Sequence, residues 1–266
     1  MLQALDLEQT TLCTVRQIHG NQVCVVDAAT LQRGLTGITA DALVTNLSYV
    51  ALGVLVADCL PVVLYSLDTP VIAVVHAGRM GTYHRMVQHT LAVIERRFAT
   101  PPAQVYAVLE PAIGACCYLL DASAVGPFQT HFPTWEQFFI PHGPERWTMD
   151  LLTANTLQLH AAGVPAEHIE IASICTACFK QNLYSHRAER TRRPDGEWPL
   201  WRSRLLCIHL SHYRCYSPPL CVILCEGVRT HKSDYCTASR LDSQEARHAF
   251  SFSWYGSVHR TSCTVV

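Results

Sequence analysis

The sequence predicts an α/β (α+β) fold: mixed, layered sheets with helices packed on the outside. Two apolar runs rich in β-branched residues, Ala51–Pro61 and Pro70–Gly81, are bounded by Pro and Gly and read as buried strands. A segment after Gly81 and another after Asp150 repeat apolar residues at helical spacing. Strands alternating with helices, plus hairpins, define the layered class.

The elements follow in chain order. Thr11–Ile18 and Gln22–Asp27 read as two strands around a His19-Gly20-Asn21 turn, the pattern of a hairpin. Asp41–Thr45 is a short strand, and the two apolar strands end on Asp58-Cys59 and on His76-Ala77-Gly78. Gly78–Gly81 breaks the chain before a helix reaching about Phe98, with Val87, Leu91, Ile94 and Phe98 on one face. Val105–Leu109 is a further strand. Asp121 caps a helix through about His131, which Gly126-Pro127 weakens. Asp150 precedes a better helix that stops at Gly163, and His168–Ile174 is a strand ending on Cys175-Thr176. From about Pro194 both periods fade, and six of the thirteen cysteines fall in this tail. Cys207, Cys215, Cys221, Cys225, Cys236 and Cys263 contain no CxxC pair, so a poorly ordered, Cys-rich tail is expected over 194–266 rather than a zinc module.

Composition narrows the function classes. With 49% apolar and 15% charged residues the chain is globular rather than disordered. A net charge of -1 gives no electrostatic footprint for nucleic acid or an anionic membrane surface. No stretch has the apolar length of a transmembrane helix, and Met1–Thr11 lacks the pattern of a signal peptide. Thirteen cysteines without a secretory signal are expected as reduced thiols, in the cytoplasm.

Cys59 and His76, at the ends of adjacent apolar runs, bring a thiol and an imidazole to the rim of a sheet. Zinc accepts both donors, and three protein ligands with an open fourth position mark catalytic sites. His19, beside a turn glycine at a strand end, is the natural third ligand. Asp58 reads as an orienting residue; strand alternation turns it away from Cys59 unless the strand has already ended. Cys116 and Cys117 are adjacent and are not expected to face one site together. Cys175 and Cys178 form a lone CxxC, read as buried structural thiols. Blue-copper oxidases need His-x-His pairs, and the chain has none.

Gln17-Ile18-His19-Gly20, Ala40–Thr45, Ala57-Asp58-Cys59-Leu60-Pro61, Val75-His76-Ala77-Gly78 and Pro111–Gly114 with Cys116-Cys117-Tyr118 occur in the order seen in the YfiH-like family. Asp150 with Asn155, Cys175-Thr176 and Tyr184-Ser185-His186-Arg187 extend the resemblance over about residues 11–190. That family was long called laccase-domain or multicopper polyphenol oxidase and is now described as purine nucleoside phosphorylases with adenosine deaminase activity. The resemblance implies a YfiH-like domain over 1–193, truncated at its N-terminal strand segment. It implies a zinc ion on His19, Cys59 and His76, with copper the alternative that the older name carries. It also implies phosphorolysis of adenosine, inosine and methylthioadenosine, and deamination of adenosine, with Cys59, His76 and Arg187 as catalytic residues.

Phosphate is then expected at the Gly78–Gly81 turn, with Gly78, Arg79 and Gly81 as its binding residues. The same turn also reads as a packing turn that starts a helix. The family has Trp-Arg where this chain has Arg79-Met80, and Glu where it has Leu119. The altered turn, the missing N-terminal segment and the Cys-rich tail after Arg193 leave a non-catalytic degenerate relative as one alternative, and the older family name leaves a copper-dependent phenol oxidase as another, against which the ligand count argues. Arg187 is equally consistent with an anion-binding residue and with an ordinary surface arginine.

Overall fold

Why can the two apolar runs be apolar throughout? In the computed structural model of the chain, their sheet is buried on both faces. Residues 10–180 and 183–188 are described in full, followed by the backbone of four short strands. The order is β1 (Thr11–Thr14), β2 (Val23–Val25), α1 (Ala28–Arg33), β3 (Ala42–Thr45), β4 (Val50–Gly53), β5 (Leu60–Ser66) and β6 (Ile72–Ala77). Next come α2 (Arg79–Tyr83), α3 (Met86–Phe98), β7 (Val105–Leu109), β8 (Leu119–Asp121), α4 (Ala122–His131), β9 (Phe139–Pro141), β10 (Arg146–Met149), α5 (Leu151–Ala161) and β11 (Ile169–Ile171). The central sheet has six strands in the order β11-β7-β5-β6-β3-β2. Its two outer pairs, β11 with β7 and β2 with β3, are parallel, and the inner pairs are antiparallel.

Alternation along β5 and β6 divides the core in two. Leu60, Val62 and Leu64, with Ala73 and Val75, face a cluster that includes Leu91, Ile94 and Phe128 from the helices. Val63, Tyr65, Ile72 and Val74 face the other cluster, completed by Val50 and Leu52 of β4. A strand covered on both sides needs no polar face, which is why β5 and β6 are apolar runs. The helix face expected after Gly81 is there: Val87, Leu91 and Ile94 are fully or nearly fully buried. Burying each contributes about 1.5–3 kcal/mol. Asp121 and Asp150 accept the N–H of Ala124 and Thr153, capping α4 and α5. Gly163, at φ 98, follows the end of α5.

Three local expectations change. The His19 turn does not close a hairpin: β1 pairs parallel with β4, and β2 pairs parallel with β3. The polar groups around the turn are used elsewhere, Gln17 on the backbone of Leu55 and the turn amides on Asp41. The run Ala51–Pro61 is not one strand, because Asp58 sits at φ 81 and β5 begins only after Cys59. The helix expected from Gly81 to Phe98 is two helices, with Arg85 at φ 57 between α2 and α3.

The tail over 194–266 lies mostly outside the described residues, and with it the side chains of its cysteines and the zinc-module question. Within it, β12 (Val222–Ile223), β13 (Tyr235–Ala238), β14 (Ser251–Tyr255) and β15 (Cys263–Thr264) pair antiparallel in that order. No helix among the described residues is long and apolar enough to cross a membrane.

Candidate active site

His76 lies next to last in β6, on the same face as Ile72 and Val74, and is 3% exposed. Its Nδ1 is 2.8 Å from Oδ1 of Asp41, which is wholly buried at the start of β3. Asp41 is also the partner of the His19 turn. Its carboxylate accepts backbone N–H groups from Ile18 at 3.3 Å, His19 at 2.9 Å and Gly20 at 2.7 Å. His19 takes φ 58, which turns three successive amides toward one acceptor. One carboxylate thus sets the height of the His19 loop and the ring plane of His76. Burial alone would raise the Asp41 carboxyl, but the His76 and turn-amide hydrogen bonds hold it below the usual range.

Cys59 completes the group. Asp58 before it takes a left-handed conformation, and its carboxylate is held by the Thr176 hydroxyl at 2.7 Å and the Arg187 N–H at 2.6 Å. Its backbone C=O accepts from Ile113 N–H at 2.9 Å. Asp58 and Cys59 therefore need not share or alternate faces, since the strand has not yet begun. Cys59 Sγ is 3.9 Å from His19 Nε2, and the rings of His19 and His76 meet edge to face at 4.7 Å. The ligand atoms of His19, Cys59 and His76 all lie within 4.8 Å of one another.

The donor set fits zinc. With Nδ1 of His76 engaged by Asp41, Nε2 is the nitrogen left for a metal, the usual carboxylate–histidine arrangement around zinc. Burial pushes the Cys59 thiol up, but the contacts with His19 and His76 bring it down to about 7. Burial likewise lowers His76, but Asp41 and Cys59 raise it to about 9. A thiol made acidic beside an exposed imidazole is a ligand prepared for a divalent cation.

The Gly78–Gly81 turn packs tightly behind the triad. A Cβ on Gly78 would overlap Cys59 Sγ, and one on Gly81 would come within 2.9 Å of the His76 carbonyl. Both glycines are there for close approach. Burial and the neighbouring Cys59 raise the Tyr118 hydroxyl above its ordinary value, and the charges of Arg79, first residue of α2, and Arg187 work against that rise. Arg187 lies 5.2 Å over the Tyr118 ring and donates from its guanidinium to the Leu119 carbonyl at 2.7 Å. Arg79 and Arg187 are therefore brought together on one aromatic wall beside Cys59. Sequence reasoning missed Asp41 and Tyr118 as parts of this site. The signal for Asp41 was an acid inside Ala40–Val44, where a buried charge requires a partner.

A mixed sheet with a Cys/His pair of strands and a third ligand on a neighbouring turn defines a YfiH-type fold carrying a metal-capable site. The chain belongs to the family described as multi-copper polyphenol oxidoreductase laccase, which matches residues 1–196. It is 30% identical over 197 residues to "Purine nucleoside phosphorylase YlmD" of Geobacillus stearothermophilus, covering 70% of each chain. A protein named "Adenosine deaminase RL5", from an unknown prokaryotic organism, is 31% identical over 191 residues, covering 69% of this chain and 72% of that one. Among solved structures, hypothetical protein YfiH of Bacillus licheniformis superposes with TM-score 0.65 at 28% identity, over 71% of this chain and 74% of its own. YlmD of Geobacillus stearothermophilus gives TM-score 0.65 at 29% identity, over 71% and 72%.

Proposed function

We propose that the chain is a zinc-dependent purine nucleoside phosphorylase that acts on adenosine, inosine and methylthioadenosine and also deaminates adenosine. The observation that carries this reading is the convergence of His19, Cys59 and His76, with one buried carboxylate, Asp41, bonded to both the His19 turn and the His76 ring. The names of the relatives supply the substrate class. His19, Cys59 and His76 would hold the zinc ion, which supplies Lewis acidity and lowers the pKa of a water bound to it.

The chain's own groups then divide the work. Asp41 keeps the proton of His76 on Nδ1 and so leaves Nε2 for the metal. Arg79 and Arg187, held against Tyr118, place positive charge where phosphate docks. In phosphorolysis a phosphate oxygen bonds to the ribose anomeric carbon while the bond to the purine nitrogen breaks. The electron pair leaves with the base, which takes up a proton, and ribose 1-phosphate remains. In deamination water replaces the exocyclic amine, giving inosine and ammonia. Free thiols throughout the described residues suit a reducing compartment such as the cytoplasm.

Zinc-loaded protein given adenosine with and without phosphate tests the reading, with products separated by chromatography. Adenine and ribose 1-phosphate formed only with phosphate, and inosine formed without it, are expected. Absence of both products from protein with zinc at the triad would overturn the reading in favour of a degenerate, non-catalytic member.

A further inference from the structure

Two groups of metal-capable side chains occur among the described residues, and only one of them is the triad. The other is made by Cys116, Cys117, Cys175 and Cys178, whose sulfurs lie within 4.8 Å of one another. We propose that these four cysteines form a second, structural zinc site with a complete set of four thiolate ligands. This inference goes beyond the function proposed above and does not depend on it.

The backbone explains how adjacent cysteines come to share a site. The N–H groups of both Cys117 and Tyr118 bond to the Gly114 carbonyl at 3.0 Å, so Ala115–Cys117 is a tight turn. In a helical turn successive side chains diverge by about 100°, not the 180° of a strand. Cys178 Sγ stands between them, 3.6 Å from Cys116 Sγ and 3.6 Å from Cys117 Sγ. A tetrahedral zinc with Zn–S bonds of about 2.3 Å sets its sulfurs about 3.8 Å apart. The two observed separations are close to the spacing of ligands around a metal and far longer than the roughly 2.05 Å of a disulfide, and all four sulfurs lie within 4.8 Å of one another.

Cys175 is placed by its own hydrogen bond. The Gly114 N–H donates to Cys175 Sγ at 3.2 Å, tying that sulfur to the turn that carries Cys116 and Cys117. Gly114 fits the same picture, since a Cβ there would press on Cys116 Sγ and Cys175 Cβ, each at 3.3 Å.

The role follows from the connections. Four protein ligands leave no position for substrate, which marks a structural site. The two arms are already bridged between Ala112 and Cys175. Thr176, inside the CxxC, donates to Asp58 next to Cys59, and Tyr118, next to Cys117, carries Arg79 and Arg187. The second metal therefore fastens the two segments that form the wall of the active site.

The test is the metal content of the full chain, purified under reducing conditions and measured by mass spectrometry together with its Cys59→Ala, Cys116→Ser and Cys178→Ser variants. The expected result is two zinc ions per wild-type chain and one in each variant. Cobalt(II) reconstitution assigns the ion that remains: the intense thiolate charge-transfer band persists in Cys59→Ala and collapses in Cys178→Ser. If Cys178→Ser fails to fold, titration of metal-free Cys59→Ala protein with cobalt(II) decides, because the triad then has no thiolate and the intense band can come only from the four-cysteine group. Absence of that band, or a Cys178→Ser variant with unchanged zinc content and cobalt spectrum, would overturn the proposal. So would peptide mapping that finds Cys178 in a disulfide with Cys116 or Cys117 in the reduced-purified protein.

Discussion

Replacing Gly78 by alanine isolates the packing behind the proposed metal triad. At φ -71 and ψ -175 the backbone there suits any residue, so Gly78→Ala brings no conformational strain. By restricting the unfolded chain it would even stabilise the fold by roughly 0.4–1 kcal/mol in open space. The space is not open. The new Cβ would lie 3.2 Å from Cys59 Cβ, 3.8 Å from His19 Cδ2 and inside contact distance of Cys59 Sγ. The Cys59 backbone runs between Asp58, whose C=O and carboxylate are bonded, and the first residue of β5, so relief comes from rotating Sγ to another staggered position, about 3 Å away. Zinc tolerates ligand displacements of about 0.2 Å, so this removes the thiolate from the site. Disturbing an outer-shell partner costs 10–100-fold in metal affinity, so displacing a ligand costs at least about 100-fold, or ~2.7 kcal/mol. The assay is zinc competition with a chromophoric chelator in a Cys116→Ser/Cys178→Ser background, with the thermal midpoint in excess chelator reporting the fold. Zinc affinity within twofold of the unsubstituted background would refute the packing argument.

Further outcomes are expected elsewhere. Asp41→Asn places an amide where three backbone donors and His76 converge; zinc affinity should fall about 10–100-fold and urea stability by about 1.5–3 kcal/mol. An unchanged urea midpoint would contradict the role given to that carboxylate. Asp150→Ala removes the cap of α5, at a cost of about 1 kcal/mol readable in the same denaturation curve. Glu170 has a buried, unpartnered Oε2 on β11, and burial raises its carboxyl above the ordinary value of 4.5. A native carboxyl with a raised pKa holds its proton longer than the unfolded one. Stability is therefore full below the unfolded value and declines as pH rises through the native one. Glu170→Gln should abolish that decline, and urea midpoints from pH 4 to pH 8 that fall equally in both proteins would exclude it.

Patterns with local causes were legible in the sequence. The caps Asp121 and Asp150, the stop at Gly163 and the buried face of α3 all depend on neighbours a few residues away. Cys59 and His76 stand out at the ends of two apolar runs and His19 by its turn glycine and the ordered motifs, and the structure brings the three side chains together. What remained hidden depends on partners far along the chain. The His19 turn resembles a hairpin until Asp41, twenty-two residues later, is seen to take its amides. Asp58 stands in the break before β5, at φ 81, because Thr176 and Arg187 hold its carboxylate. Adjacency argues against Cys116 and Cys117 sharing a site, but a turn bonded to the Gly114 carbonyl sets both beside Cys178. Arg79 and Arg187, more than a hundred residues apart in sequence, both act on Tyr118.

Asp41 also bears on which ion the triad selects. Its hydrogen bonds fix the His19 turn and the His76 ring within the folded chain, before any ion arrives. A floppy trio of ligands would rearrange around each cation and rank ions by the Irving–Williams order, with copper(II) above zinc. A cradle held by a fully buried carboxylate resists flattening toward the tetragonal arrangement that copper(II) prefers. Rigidity thus becomes a means of discrimination, measurable as a narrower copper-to-zinc affinity ratio in the native chain than in Asp41→Asn.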